Sequence, residues 1–315
     1  MKHILTPLAL TLIAAPALAQ DKMTVMLDWF INPDHGPIIL AEENGYFTDA
    51  GLEVELISPA DPNDPPRMVA AGRVDLAVSY QPELHLAQRE GLDIRRVGTL
   101  IETPLTCLVV RADGPVQKVA DLKGRKVGFA VSGVQEMLLD AMLSHHGVAP
   151  SEVEQINIGW SISPALMSGQ VDGVIGAFRN FELNQMQIEG HEGRCFYPEA
   201  EGVPAYDELI YVAHAEDMDR EMIARFLRAT ERAAADIVND PAASGETFFA
   251  SDAELRNELN TRAWEDTWPR FATRPAAVDH GRYDRFEAFM QESGVVETVI
   301  PAADLVVDVT AQAKP

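Results

Sequence analysis

The sequence has only two cysteines, Cys107 and Cys195, in 315 residues. Neither lies in a metal-site motif, and no Cys-x-x-Cys occurs, which argues against the common structural zinc patterns. In an oxidising compartment the two thiols can form one disulfide, but a chain of this length does not need a covalent link to hold its core together. Whether they pair therefore stays open at this point.

Positive charge is also scarce. The chain carries 25 Lys and Arg against 49 Asp and Glu, a formal net charge of −24. A field of that sign repels nucleic acid and anionic lipid, so we expect no nucleic-acid partner. The charge bears on solubility and partners and not on the fold.

Long apolar runs are missing except at the start of the chain. There, Lys2 precedes an apolar stretch over 4–15, and Ala17-Leu18-Ala19 offers the small-x-small pattern of a signal peptidase site. The stretch is short for a membrane span. We therefore predict a signal peptide over 1–19, cleavage before Gln20, and a periplasmic mature protein whose formal charge, without Lys2, is −25.

Signatures of enzyme chemistry are equally scarce. No Gly-x-Ser-x-Gly elbow, P-loop or His-Glu-x-x-His motif is found. His145 and His146 are adjacent, so their side chains diverge and form a poor metal pair. The sequence predicts no catalytic residues and no metal site.

The sequence does contain alternating strand and helix patterns in its first half. This alternation predicts an α/β protein with parallel sheets and helices on both faces. An internal echo adds to it: residues 72–78 and 169–175 both read Gly-x-Val-Asp followed by an apolar run. Each copy leads into a strand that ends in polar and aromatic residues. Ligands bind beyond the carboxyl ends of such strands, so two similar lobes facing each other would form a binding cleft.

The order of these patterns predicts a discontinuous first lobe. We place lobe one at 20–110 and 206–300, lobe two at 111–205 and a C-terminal tail at 301–315. A strand over 209–213 returns to lobe one, and only helices follow it. Two crossing strands then make a hinge of the kind that closes domains around ligands. In lobe two, Ser132 is expected to cap a helix with Gln135 as its capping-box partner.

Several segments together indicate a family. They are 27–35, 45–47, 51–54, 71–75, 121–124, 176–182 and 226–230. In these segments the chain resembles the family that unites thiamine-precursor pyrimidine-binding periplasmic proteins with thiamine-pyrimidine synthases, and the resemblance covers nearly the whole mature chain. It implies a type II periplasmic-binding-protein fold and the substrate-binding component of an ABC importer. Its ligand would be formylaminopyrimidine or hydroxymethylpyrimidine, delivered to a membrane permease with an ATPase.

The enzyme branch of that family sets requirements that this chain does not meet. Family synthases build the pyrimidine from bound pyridoxal phosphate and one of their own histidines, with iron near a cysteine-rich segment. The cofactor lysine falls at Ser79 here and the consumed histidine at Glu83, and segment 202–207 has no cysteine. The resemblance thus implies a receptor with no cofactor. A receptor for another small molecule, such as a sulfonate bound by Arg179 and the Ser132 cap, stays an alternative.

Three residues are the main candidates for holding the ligand. Trp29 and Tyr80 follow lobe-one strands, where flat rings suit stacking on an aromatic ligand. Glu182 lies just beyond the second copy of the echo. An aminopyrimidine presents an amino donor beside a ring nitrogen, and a carboxyl group can pair with both if one proton is shared.

Four polar residues are candidate partners for substituents on the ring. Asn32, Gln81 and Asn180 can contact the ligand, and each serves equally well as a turn former. His35 can donate a hydrogen bond to the ligand or cap the following helix. Trp160 can line the cleft, whereas Trp264 and Trp268, four residues apart on one helix face, are predicted to pack in the core or between the lobes.

Overall fold

The computed structural model describes residues 20–311. The predicted signal peptide, 1–19, lies outside the described residues. Within 20–311, no helix combines the length and the apolar character that a membrane span requires.

The first sheet has five strands in the order β2-β1-β3-β10-β4. β1 is parallel to β2 and β3, whereas β10 is antiparallel to both β3 and β4. The strands are β1 Asp21–Met26, β2 Leu52–Ile57, β3 Leu76–Ser79, β4 Ile94–Ile101 and β10 Leu209–His214.

The second sheet also has five strands, in the order β7-β6-β8-β5-β9. β6 is parallel to β7 and β8, and β5 is antiparallel to β8 and β9. The strands are β5 Thr106–Arg111, β6 Lys126–Phe129, β7 Glu154–Asn157, β8 Gly173–Phe178 and β9 Gly193–Phe196. The α/β architecture is confirmed, although both sheets are mixed and not wholly parallel.

Helices cover these sheets. The long α8 begins where the Asp219 carboxylate accepts a hydrogen bond from the Met222 N–H, and its apolar face packs on α1 and α2, with Phe226 stacked on Phe47. The helices are α1 Gly36–Glu43, α2 Tyr46–Asp49, α3 Pro65–Ala70, α4 Gln81–Arg89, α5 Val134–His145, α6 Ile162–Met167, α7 Glu182–Ile188, α8 Arg220–Asn239, α9 Pro241–Ser251, α10 Glu258–Thr267, α11 His280–Glu292 and α12 Ala302–Leu305.

The sheet boundaries differ from the predicted lobe boundaries at two places. Residues 106–110, placed in lobe one from the sequence, form β5 and pair with β8 and β9 in the second sheet. The apolar run 106–111 has the same appearance in either sheet, so its pattern cannot show its partners. In the predicted tail, α12 packs on α11 and β4, and Val306 bridges to Arg96.

The chain passes between the sheets twice, before β5 and before β10, and a buried carboxylate ties the two connections together. Glu208 accepts hydrogen bonds from the Leu105 N–H at 2.5 Å, the Thr106 N–H at 2.7 Å and the Thr106 hydroxyl at 2.8 Å. Burial raises the pKa of Glu208 to about 7. The two strands thus meet at one hydrogen-bonded point, which defines a narrow hinge.

The two cysteines form a disulfide. Cys107 lies on β5 and Cys195 on the neighbouring β9, with their Cα atoms 5.7 Å apart. That separation falls in the ordinary disulfide range. The bond ties the edge strand β9 to its neighbour β5.

Candidate ligand site

A pocket lies between the two lobes, beyond the ends of β1, β3 and β8. It encloses about 410 Å³, counting the mouth that opens to solvent. Lobe one contributes Asp28, Trp29, Asn32, Asp34 and Tyr80, and lobe two contributes Val131, Gln135, Ile162, Gly176, Phe178, Phe181 and Glu182.

A hydrogen-bonded chain orients the lobe-one wall. The Asn32 N–H donates to His35 Nδ1 at 3.3 Å, so the ring hydrogen is on Nε2, which donates to Asp28 Oδ1 at 3.0 Å. Tyr80 donates its hydroxyl to the other Asp28 oxygen at 2.9 Å. The side chains of Asp28, Asn32, His35 and Tyr80 are all buried. Asp28 therefore holds the Tyr80 ring at a set angle, and His35 holds Asp28.

Aromatic side chains from both lobes surround the pocket. The Tyr80 ring meets Phe178 edge to face across the lobes, with centroids 6.4 Å apart. Trp29 is half-buried on the lobe-one side, and Phe181 lines the pocket from lobe two. Such walls suit a flat apolar ring.

Glu182 is the carboxyl group of the lobe-two wall. It is only 8% exposed, and its Oε2 accepts a hydrogen bond from the Phe178 N–H at 2.6 Å. Burial, with the nearby Asp34 charge, raises the pKa of Glu182 to about 8, despite the opposing effect of that hydrogen bond. At neutral pH the side chain is therefore mostly a neutral acid with one O–H donor and one carbonyl acceptor.

Asp34 is part of a contact that joins the lobes beside the pocket. Asn180, from lobe two, donates to Asp34 Oδ1 and to Thr267 Oγ1, each at 2.6 Å. Next to it, Asn184 on α7 donates to Asp266 on α10 at 2.8 Å. Burial raises the pKa of Asp34 to about 6, with His35 opposing the rise. The two lobes are therefore in direct contact beside the pocket.

Gln135 packs against the backbone of β8. Its Oε1 accepts hydrogen bonds from the Ala130 and Val131 N–H groups at 2.8 and 3.1 Å, and its amide lies against Gly176, where β8 is bulged and φ is +89°. The predicted capping box of Ser132 and Gln135 is wrong. α5 begins one residue later, and Glu136 accepts a hydrogen bond from the Gly133 N–H instead.

This packing makes a prediction about stability. Gly176→Ala would combine a positive φ with a methyl group inside van der Waals contact of Gln135. Gly190→Ala is the matched control, because Gly190 has a φ of +80° and open space around it. We expect the control to lose about 1–2 kcal/mol of unfolding free energy and Gly176→Ala about 1–3 kcal/mol more. Equal losses in urea unfolding would show that Gln135 moves away at no cost.

The structure brings only some of the predicted residues into the pocket. Trp29, Asn32, Tyr80 and Glu182 line it. His35 lies behind Asp28, and Asn180 forms the interlobe contact. Gln81 lies deeper, where its Oε1 accepts a hydrogen bond from the Asp207 N–H at 2.8 Å. Asn32 forms a turn, with Oδ1 accepting from the Asp34 N–H at 2.8 Å.

Other lining residues were not selected from the sequence. Asp28 and Asp34 flank Trp29 within the segment that resembles the family, and Phe178 and Phe181 lie in the 176–182 segment beside Glu182. Their position close to Trp29 or Glu182 in these segments is the feature of the sequence that could have indicated them as lining residues. Gln135 gave none, because its helix-start position suited a capping role equally well.

Comparison with known proteins identifies the family. The family model described as NMT1/THI5 like matches residues 32–244, which is more than half of the chain. The chain belongs to the NMT1/THI5-like family. The resemblance inferred from the sequence motifs is thereby confirmed.

Relatives within the NMT1/THI5-like family carry two kinds of name. A Haemophilus influenzae protein named for thiamine biosynthesis is 45% identical over 299 residues, 95% of each chain. A formylaminopyrimidine-binding protein of Halalkalibacterium halodurans is 33% identical over 71% of this chain and 68% of its own. A 4-amino-5-hydroxymethyl-2-methylpyrimidine phosphate synthase of Schizosaccharomyces pombe is 27% identical over 81% and 77%.

Solved structures show the same fold. The periplasmic aliphatic sulphonate binding protein SsuA of Escherichia coli superposes with a TM-score of 0.71 at 15% identity, covering 91% of this chain and 97% of its own. A Candida albicans protein with the generic periplasmic binding protein fold gives 0.72 at 13% identity, covering 95% and 99%. The two-lobed type II fold is confirmed.

Ser79 and Glu83 occupy the positions that hold the cofactor lysine and the consumed histidine in the family's synthases. Ser79 donates its hydroxyl to Glu83 at 2.6 Å, and burial raises the pKa of Glu83 to about 7. Among residues 20–311, no lysine lines the pocket, so none of them places an amine there to hold pyridoxal phosphate as a Schiff base. Across residues 20–311, no group of three or more His, Cys, Asp or Glu is arranged to hold a metal ion. The residues present do not fit the synthase cofactor.

Two other sequence candidates lie outside the pocket. Arg179 makes a two-point contact with Glu199 and donates to the Leu105 and Thr106 carbonyls, so it stabilises the hinge. Trp264 is buried, with its indole N–H donating to the Pro241 carbonyl at 2.9 Å. Its predicted core role is confirmed.

Proposed function

We propose that this chain is the substrate-binding component of an ABC importer. It captures a thiamine-precursor aminopyrimidine between its lobes in the periplasm and delivers it to a membrane permease with an ATPase. The observation that carries the proposal is Glu182, a buried acid that keeps its proton at neutral pH and lies between aromatic walls. The formylaminopyrimidine-binding relative supports the ligand class.

The chemistry of the pocket suits an aminopyrimidine. Oε1 of Glu182 can donate its proton to a ring nitrogen, while Oε2, which already accepts from Phe178, has a second lone pair for the ligand's amino group. Trp29 and Tyr80 line the pocket, and aromatic rings at such positions can stack on the base. A neutral acid paired with a neutral ring avoids burying a net charge in the closed cleft.

An anionic ligand such as a sulfonate fits poorly. The lining residues include three carboxyl side chains, Asp28, Asp34 and Glu182, and no Lys, Arg or His. Arg179, the cation that the sequence offered for this role, is bound to Glu199. A sulfonate in this pocket would therefore lie beside negatively charged side chains, with no cationic side chain to balance its own charge.

Calorimetric titration of the purified mature protein tests the proposal. Hydroxymethylpyrimidine and formylaminopyrimidine are expected to bind with one site per chain, and an alkanesulfonate is expected not to bind. Binding of the sulfonate alone would replace the proposed ligand class. Conversion of any added compound, seen by mass spectrometry, would contradict the assignment as a pure receptor.

Affinity for the pyrimidine is expected to fall with rising pH. In the proposed complex, Glu182 and the pyrimidine ring share one proton. The free protein must therefore already carry that proton on Glu182, or take one up from the buffer when the ligand binds. With the pKa of Glu182 at about 8, the protonated fraction, and with it the affinity, falls about tenfold between pH 7 and pH 9. Calorimetry at pH 9 in buffers of different ionisation enthalpy should show uptake of about one proton. Affinity that stays constant over this range would refute the shared proton.

A further inference from the structure

A wider chamber, open to solvent, adjoins the ligand pocket. It shares Trp29, Ile162, Phe181 and Glu182 with the pocket, so these side chains lie where the two spaces meet. It encloses about 1280 Å³, counting the open side. We call it the mouth chamber. Its outer wall comes from the segment between α9 and α10, which includes Asp252 and Glu254.

Exposed aromatic rings line the mouth chamber. Trp160 is 42% exposed and Phe30 is 46% exposed. Trp160, from lobe two, contacts Trp29 across the cleft with ring centroids 4.1 Å apart, and Phe30 lies 5.8 Å from Trp29. Large aromatic side chains left open beside a ligand pocket indicate a surface that a ligand covers.

The charge of the chamber has one sign. Asp252 and Glu254 lie on its outer wall, and none of its lining residues is Lys, Arg or His. Aromatic faces beside carboxylates attract cations through both the ring quadrupole and the charge.

A polar group in the wall is also unpaired. Ser163 lines the chamber, its side chain is buried, and its hydroxyl has no hydrogen-bond partner among residues 20–311. Buried polar groups in native proteins are nearly always paired. The Ser163 hydroxyl therefore lies just inside the chamber wall with its hydrogen-bonding capacity unused.

We propose that the mouth chamber is a second subsite that binds an aromatic cation attached to the aminopyrimidine, beside Trp160 and Glu254. This inference rests on the proposed function, since the pyrimidine ring must occupy the inner pocket. The preferred ligand class then extends from the free pyrimidine to one that carries a positively charged ring. Negatively charged substituents are rejected by the same carboxylates.

Three probes separate the subsite from the ring pocket: hydroxymethylpyrimidine, which has the ring alone, thiamine, which adds a cationic thiazolium, and thiamine diphosphate, which adds negative charge. Thiamine should bind the unmodified protein, and its affinity should fall with added salt while that of hydroxymethylpyrimidine does not. Thiamine diphosphate should bind about tenfold or more weakly than thiamine. Trp160→Ala should weaken thiamine binding about threefold to thirtyfold and leave hydroxymethylpyrimidine within about twofold.

Charge variants complete the test. Glu254→Gln should weaken thiamine binding and leave the pyrimidine unchanged. Glu265→Gln removes the same charge from an exposed position on α10 that does not line the chamber, and it should change neither. If hydroxymethylpyrimidine binds and thiamine does not, or if Trp160→Ala binds thiamine as tightly as the unmodified protein, the subsite is refuted and the proposed function stands. If no pyrimidine binds, both proposals fail.

Discussion

Glu182→Ala is expected to weaken aminopyrimidine binding by tens to thousands of fold. The change leaves the ligand's amino group and ring nitrogen without partners in a buried site, and each unpaired polar group costs about 1–3 kcal/mol. The change also leaves the Phe178 N–H without its acceptor. Calorimetric titration with hydroxymethylpyrimidine measures the loss. Wild-type affinity in this variant would contradict the proposed pose.

Glu182→Gln is the matched control for this prediction. An amide has one carbonyl acceptor and N–H donors, the same pattern that the protonated carboxyl group offers. We therefore expect a much smaller loss, within about tenfold. The fall in affinity between pH 7 and pH 9 should disappear, since an amide does not titrate. A Gln variant that binds as poorly as the Ala variant would show that the carboxylate charge, and not the shared proton, holds the ligand.

Trp29→Ala is expected to weaken binding by about ten- to a hundredfold. An aromatic pair contributes about 0.5–1.5 kcal/mol beyond the apolar area it buries, and covering one ring face adds about 1 kcal/mol. Calorimetry gives the affinity, and a melting curve shows whether the fold is kept. Trp29 is half-buried and contacts Trp160, so the variant also opens the mouth chamber.

Trp29→Phe separates stacking from shape. A smaller ring keeps a flat face toward the ligand, so the loss should be about tenfold or less. Equal losses for Phe and Ala would indicate that the indole fills space and does not stack. Unchanged affinity in Trp29→Ala would place the ring of the ligand elsewhere in the pocket.

The ends of the echoed strands were the most informative part of the sequence. The two Gly-x-Val-Asp units lie before β3 and β8, and the residues beyond these strands, Tyr80 and Glu182, both line the pocket. This worked because parallel strands present their carboxyl ends at one edge of a sheet. The repeated unit therefore indicated which residues lie at the ends of strands, although the sequence does not show which strands pair.

Other features depended on tertiary contacts that local patterns do not encode. The apolar run of β5 suits either sheet, and only its pairing with β8 and β9 places it in lobe two. Gln135 satisfies the local rule for a capping box, yet its amide is drawn to the Ala130 and Val131 N–H groups and packs on Gly176. In both cases the deciding partner is remote in sequence or lies on the opposite side of a turn.

The roles of His35 and Asp28 show the same limit. A histidine beside a helix start can cap the helix or contact a ligand, and the sequence left both open. In the structure it does a third thing: it orients Asp28, which in turn holds the Tyr80 hydroxyl. Tyr80 is 52 residues from Asp28, so no local pattern could have indicated the pair.

A crystal structure of the protein with hydroxymethylpyrimidine tests the central claim most directly. We expect one pyrimidine between the lobes, its ring against Trp29 and Tyr80, and its amino group and a ring nitrogen within hydrogen-bond distance of the Glu182 carboxyl oxygens. A pyrimidine bound outside this pocket, or bound in it with its amino edge away from Glu182, would contradict the account.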